Sequence, residues 1–242
     1  MPIEGALAIK IFSDRGDLSD EFIASPLYFV AEKEQTRSLF RLAADGRLER
    51  LLSDVTLWEM RGGRLYYRNS DFALFIATLK KGAVQEIERI DRDITFFHVT
   101  PDGSAVFYLK PTGSQGLFVG DLYCAKYQKA PVRLGRSCDM GNLRISADSK
   151  RYAFTANCTA LEGSFFATAG DLYVGKMGKA PEKIDEDVYA VLGRYQSAVY
   201  FDRKFPYLKL LSNNNGLSTC SLLYFDGRKK QLLLPQLLQK IG

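Results

Sequence analysis

The stretch Gly120 to Gly135, GDLYCAKYQKAPVRLG, returns at Gly170 to Asp185 as GDLYVGKMGKAPEKID, with eight of sixteen positions identical at an offset of 50. Chance gives roughly one identity in such a window, so this is an internal repeat. Working outward, a strand-like triplet recurs as Leu27-Tyr28-Phe29, Leu65-Tyr66-Tyr67, Val106-Phe107-Tyr108, Tyr152-Ala153-Phe154 and Val199-Tyr200-Phe201. Its last residues are spaced by 38, 41, 46 and 47 positions. A second strand follows each triplet, at Leu39-Phe40, Leu74-Phe75, Leu122-Tyr123, Leu172-Tyr173 and Leu223-Tyr224. A third follows near residues 48–52, 84–87, 132–134, 182–184 and 231–234.

Between units an acidic residue precedes an apolar strand: Asp54 before VTLWEM, Asp93 before ITFFHV, Asp139 before MGNLRI and Asp187 before VYAVLG. For the first unit, ALAIKIF at Ala6 to Phe12 can supply the matching strand. Five units of four short strands at a period of ~40–50 residues predict an all-β chain, a β-propeller of about five four-stranded antiparallel blades. The expected organisation is one domain over 1–242, with blades at 1–53, 54–92, 93–138, 139–186 and 187–242. Each sheet would bury both faces by stacking on its neighbours in a ring.

Thr100-Pro101-Asp102-Gly103, then Val106-Phe107-Tyr108 and Gly120-Asp121-Leu122-Tyr123, resembles the WD40-like repeat of the TolB type. Ser146-Ala147-Asp148-Ser149, Tyr152-Ala153-Phe154 and Gly170-Asp171-Leu172-Tyr173 repeat that pattern. The resemblance is close in the third and fourth units and drifts in the others. The Trp-Asp dipeptide of true WD40 repeats is absent, because Glu59 follows Trp58. The resemblance implies the propeller fold and a group of bacterial propellers often carried outside the membrane behind an anchor. It carries no catalytic residues.

Composition narrows the function classes. Thirty-three basic and 28 acidic residues are scattered along the chain, a net charge of +5 with no run that could track a phosphate backbone, which argues against nucleic acid. No stretch approaches the ~18 apolar residues of a membrane span. Met1 to Lys10 lacks the pattern of a signal peptide, so the chain reads as soluble as written, and extracytoplasmic if it belongs to an anchored protein. Cys124, Cys138, Cys158 and Cys220 have no metal-ligand spacing, and with one histidine no metal site or cofactor is expected. If the chain is exported, Cys138 and Cys158 are the candidate bridge.

Candidate sites are of three kinds. The repeated aspartates read either as a ring of carboxylates able to hold a cation or as turn-formers bonding their own backbone, and recurrence once per blade favours the turn. The strands lining the expected channel offer Glu59, His98, Arg144 and Arg194. A glycoside-active propeller needs two carboxylates flanking the scissile bond, and these strands supply one, Glu59. No GxSxG, P-loop or HExxH motif is present. The third kind is loop length. The connections near 32–38 and 68–73 are short, whereas Pro111 to Gly120, Ala156 to Gly170 and Asp202 to Ser221 are long and carry Phe118, Phe165, Phe166, Phe205 and Tyr207. These read as exposed binding aromatics on a rigid scaffold or as rings folded onto the blade. The resulting expectation is a non-catalytic recognition module for a protein, peptide or glycan. The alternatives are a five-bladed glycoside-active enzyme and a structural spacer of a larger cell-envelope protein.

Overall fold

In the computed structural model, the residues described are 27–33, 36–43, 46–80, 82–113, 118–164, 167–192, 200–201, 204–214 and 217–240. Ala6 to Phe12, expected as the first unit's inner strand, lies outside them. The described residues contain eighteen strands and no helix. The chain divides into two compact units, Met1–Arg92 and Asp93–Gly242.

The first unit holds two antiparallel sheets. One is β1 (Leu27–Lys33), β2 (Thr36–Leu42) and β3 (Leu48–Ser53). The other is β4 (Leu57–Arg61), β5 (Arg64–Arg68), β6 (Leu74–Lys80) and β7 (Ala83–Asp91). Their facing sides bury Leu39 from one sheet against Leu65, Tyr67 and Ala77 from the other, with Val55 between them.

The second unit is one continuous path from β8 (Phe97–Val99) through β9 (Ala105–Pro111), β10 (Val119–Lys126), β11 (Val132–Ser146), β12 (Arg151–Ala160), β13 (Thr168–Lys176), β14 (Glu182–Val191), β16 (Phe205–Asn214), β17 (Leu217–Phe225) and β18 (Lys230–Lys240). A two-residue strand, β15 (Tyr200–Phe201), pairs parallel to β11 off this path. Two strands change partner midway. β11 pairs with β10 up to Asp139 and with β12 from there to Ile145. β14 pairs with β13 through Val188 and with β16 from Val188 to Val191. The path therefore divides into three runs of four strands. Successive runs pack face to face, the first two around Phe107, Leu122, Ile145, Tyr152 and Phe154, the next two around Leu172, Val188, Phe205 and Tyr207.

One feature of the sequence recurs in four of the five strand groups. Phe29 stacks on Phe40, Tyr67 on Phe75, Tyr108 on Tyr123 and Phe154 on Tyr173, at 5.8, 5.0, 5.5 and 5.5 Å between centroids. In each case the two residues are direct cross-strand partners. Such pairs add roughly 0.5–1.5 kcal/mol beyond the area they bury. A bulge follows the leucine beside the second ring, at Leu39/Phe40, Leu74/Phe75, Leu122/Tyr123 and Leu172/Tyr173. Gly120 and Gly170 open the repeated motif because a Cβ there would run into the Lys110 and Ala156 carbonyls of the neighbouring strand.

The fifth unit departs from expectation. Tyr200-Phe201, expected as its triplet strand, is not the partner of Leu223-Tyr224; β16 is, and the supposed loop Asp202 to Ser221 contains β16 and the start of β17. Tyr207 stands where the earlier sheets place their ring, opposite Leu223, and the bulge falls at Leu222/Leu223. Pro206 is tolerated at the second position of β16 because a strand end needs fewer ladder donors than its middle.

The junction residues also need a correction. Asp54, Asp93 and Asp187 sit at φ 56°, 58° and 55°, each before a fully buried residue, Val55, Ile94 or Val188. The equivalent in β11 is Ser137, at φ 45° before the buried Cys138, and not Asp139. Asp and Asn enter this left-handed region more readily than other side chains because a short polar group can bond locally. The offset of 50 carries Ser137 onto Asp187.

Candidate functional site

Antiparallel strands give the second unit two ends. Pro111 and Val119, Ala160 and Thr168, and Asn214 and Leu217 fall at one, with the corners at Ser137 and Asp187. The turns after β8, β11, β13 and β17 fall at the other. The first end is braced across runs: Asn142 accepts from the Val191 N–H at 2.9 Å and donates to the Tyr189 carbonyl at 3.2 Å, while Asn213 donates to the Glu162 carbonyl at 2.9 Å. Leu161 and Ala169 pack there with Tyr189 and Leu210.

Of the aromatics expected on loops, Phe118 fits that description. The residue is 46% exposed, its ring stacks on Phe96 at 4.8 Å with 13° between planes, and its carbonyl accepts from the Met140 N–H at 3.0 Å. Phe165 and Phe166 lie outside the described residues. Phe205 and Tyr207 are 1% and 0% exposed in β16, so the expectation that they stand on an exposed loop is corrected. They face inward because β16 alternates its apolar residues against the preceding run.

Among the residues expected to line a channel, Glu59 is half-buried on β4 of the first unit, opposite Tyr66. His98 and Arg144 lie on the first strands of successive runs in the second unit, with His98 opposite Phe107 and Arg144 opposite Ala153. Arg194 lies outside the described residues.

Asp139, set beside this end by β11, is the group whose chemistry the sequence understates. It accepts from the Thr168 hydroxyl at 2.7 Å and from the Gly141 N–H at 2.8 Å. Burial pushes its carboxyl above the usual carboxylate range, against those two bonds and the Arg144 charge. Arg144 is held below the usual guanidinium range by burial; it donates to the Gly141 and Leu143 carbonyls at 2.7 and 2.8 Å. Asp139 thus does bond the backbone two residues on, as a turn-former would. Asp54 instead reaches across to the β5–β6 turn and accepts from the Ser70 N–H and hydroxyl, both at 3.0 Å. Asn142 and Thr168 escaped the sequence reading because a lone amide or hydroxyl in a strand has no spacing to betray it.

The four cysteines are free thiols. Burial raises both Cys138 and Cys158, the candidate pair, above the ordinary thiol value, so neither is poised as a nucleophile. Among the described residues no three His, Cys, Asp or Glu side chains gather as a metal-binding group, and no helix is long and apolar enough to cross a membrane.

No family model and no curated protein matches the chain. Solved structures do. The tricorn protease matches at a TM-score of 0.54 and 13% identity, over 86% of this chain and 25% of that one. A eukaryotic initiation factor matches at 0.53 and 10%, over 86% and 51%. The β-propeller domain of the trilobed protease from Pyrococcus furiosus gives 0.47 and 8%, over 76% and 58%. The chain spans a quarter to about three-fifths of the length of these structures. Together with the all-β, antiparallel architecture, the likenesses show that this chain has a β-propeller fold.

Proposed function

We propose that the chain is a non-catalytic recognition module of five four-stranded blades that grips a protein segment at the Phe96–Phe118 end of its second unit. One observation carries this reading: Phe118 is about half exposed as a residue, while its ring stacks on Phe96 and its backbone is tied to β11. An exposed aromatic on an ordered frame is a typical interface anchor, because its ordering cost is already met before a partner arrives. The three-stranded sheet β1–β3 would be the first blade and β4–β7 the second, with the three runs of the longer path completing the set. The likenesses above a TM-score of 0.5 cover 25% and 51% of the neighbours' chains, which suits a module within a larger protein.

The test is selection from a displayed library of random peptides on immobilised protein. Wild type should enrich a peptide family. Phe118→Ser should lose about 30-fold in affinity for it, the equivalent of ~2 kcal/mol, with the melting temperature held within a few degrees. Equal binding by the variant overturns the reading.

A further inference from the structure

We propose that the opposite end of the second unit carries a separate binding site for a small organic anion: one carboxylate joined to one apolar group. A cavity of about 280 Å³ opens there between the β12–β14 and β16–β18 strands. Its floor is apolar, made by Val174, Ile184, Phe205 and Phe225. Its rim is Arg151, Lys176 and Lys179, with Glu182 the one acidic residue lining it.

The rim is electrostatically unfinished. Arg151 and Lys176 are direct cross-strand partners, a like-charge juxtaposition that is destabilising by itself. None of the three cations has an ion-pair partner among the described residues. The Arg151 charge helps hold the Asp148 carboxyl down, but the hydrogen bonds of the nearby acids go elsewhere: Asp148 accepts from Ser146 and the Lys150 N–H, and Asp226 from the Arg228 and Lys229 N–H groups. An anion seated between Arg151 and Lys176 removes the repulsion that the fold maintains.

The same geometry sets the ligand's form. Glu182 stands opposite Val174 at the margin and opposes a second negative charge, so a monoanion fits better than a dianion. The volume lies just below the roughly 300–1,000 Å³ of drug-sized pockets, which suits a ligand about as large as one aromatic side chain with its carboxylate. Phe205 and Phe225 are almost wholly buried, so they form a fixed apolar floor.

The probe is 3-phenylpropionate, titrated into the full isotope-labelled chain and followed by amide chemical shifts. Saturable shifts at Gly175, Ala180 and Gly227 are expected at millimolar ligand, with a rise in melting temperature. The neutral amide of the same acid, and inorganic phosphate, should leave these signals unchanged. Arg151→Gln with Lys176→Gln should weaken binding about tenfold or more while the ligand-free protein melts no lower, because the like-charge pair is gone. Lys179→Gln should weaken binding without touching that pair. The proposal is overturned if no saturable shift occurs, if the amide binds as well as the acid, if phosphate alone shifts the same signals, or if the double variant binds like wild type.

Discussion

Tyr207 donates its phenolic hydrogen to Oδ2 of Asp185 at 2.8 Å, and its ring faces Leu223 where four other sheets set ring against ring. Lys209 and Lys230 complete the cluster, 3.0 and 3.3 Å from Oδ1. At this position the last run thus has, in place of a stacked ring pair, a polar knot around the buried Asp185 carboxylate that ties β14, β16 and β18 together. Tyr207→Phe keeps the packing and removes a bond to a charged acceptor, so urea unfolding should show a loss of about 1.5–3 kcal/mol.

Asp185 and Asp139 should respond to acid in opposite senses. Burial raises the Asp185 carboxyl, but the bonds from Lys209, Tyr207 and the Glu186 N–H outweigh it and leave it below the usual carboxylate value. Its contribution is therefore complete above the unfolded value of about 4 and is lost as pH falls through the lower folded value. Asp185→Asn should destabilise at pH 7 and flatten the acid limb of the stability curve.

For Asp139 the folded carboxyl is raised, burial being the main cause. Its contribution is present below the unfolded value and is lost as pH climbs through the higher folded one. Asp139→Asn should therefore melt higher than wild type at pH 7, with the difference vanishing in acid. A lower melting point at pH 7 would show that the Thr168 and Gly141 bonds outweigh the burial cost.

Ser137 holds a left-handed conformation that aspartate occupies at three other junctions. Ser137→Asn should gain roughly 0.5–1 kcal/mol, and Ser137→Val should lose at least ~1 kcal/mol, because a β-branched side chain clashes there. Paired thermal melts measure both.

Neither Glu59 nor Asp139 is expected to support hydrolysis. Aryl glycosides, esters and phosphates should turn over at background rates in wild type. An activity that disappears in Glu59→Gln or Asp139→Asn would restore the glycosidase reading.

Four of the five ring positions were legible because the aromatic at each triplet's end, residues 29, 67, 108 and 154, is the one that stacks across the sheet. The fifth was misplaced for a physical reason. Val199-Tyr200-Phe201 has the composition and spacing of the earlier triplets, whereas Tyr207 follows a proline and faces a leucine, with a hydroxyl that seeks a carboxylate. The junction at Ser137 was hidden because serine stands in for the acid. At the candidate site, residue type alone could not separate Phe118, half in solvent, from Phe205 and Tyr207, sealed in a strand. The cationic cleft was invisible, since Arg151 and Lys176 are distant in sequence and meet only through the β12–β13 register.

The two strands that change partner midway, β11 and β14, have a consequence for how such a chain can grow. A duplication of fifty residues that begins at Gly120 starts inside one run of strands and ends inside the next, so the copied block is out of phase with the sheets. A copy inserted in that frame brings the second half of one sheet and the first half of its successor, and both find complementary halves waiting. No new connector has to evolve, and no strand edge is left bare at either splice. The strand shared between neighbours is the seam along which this architecture can lengthen without passing through an unfolded intermediate ancestor.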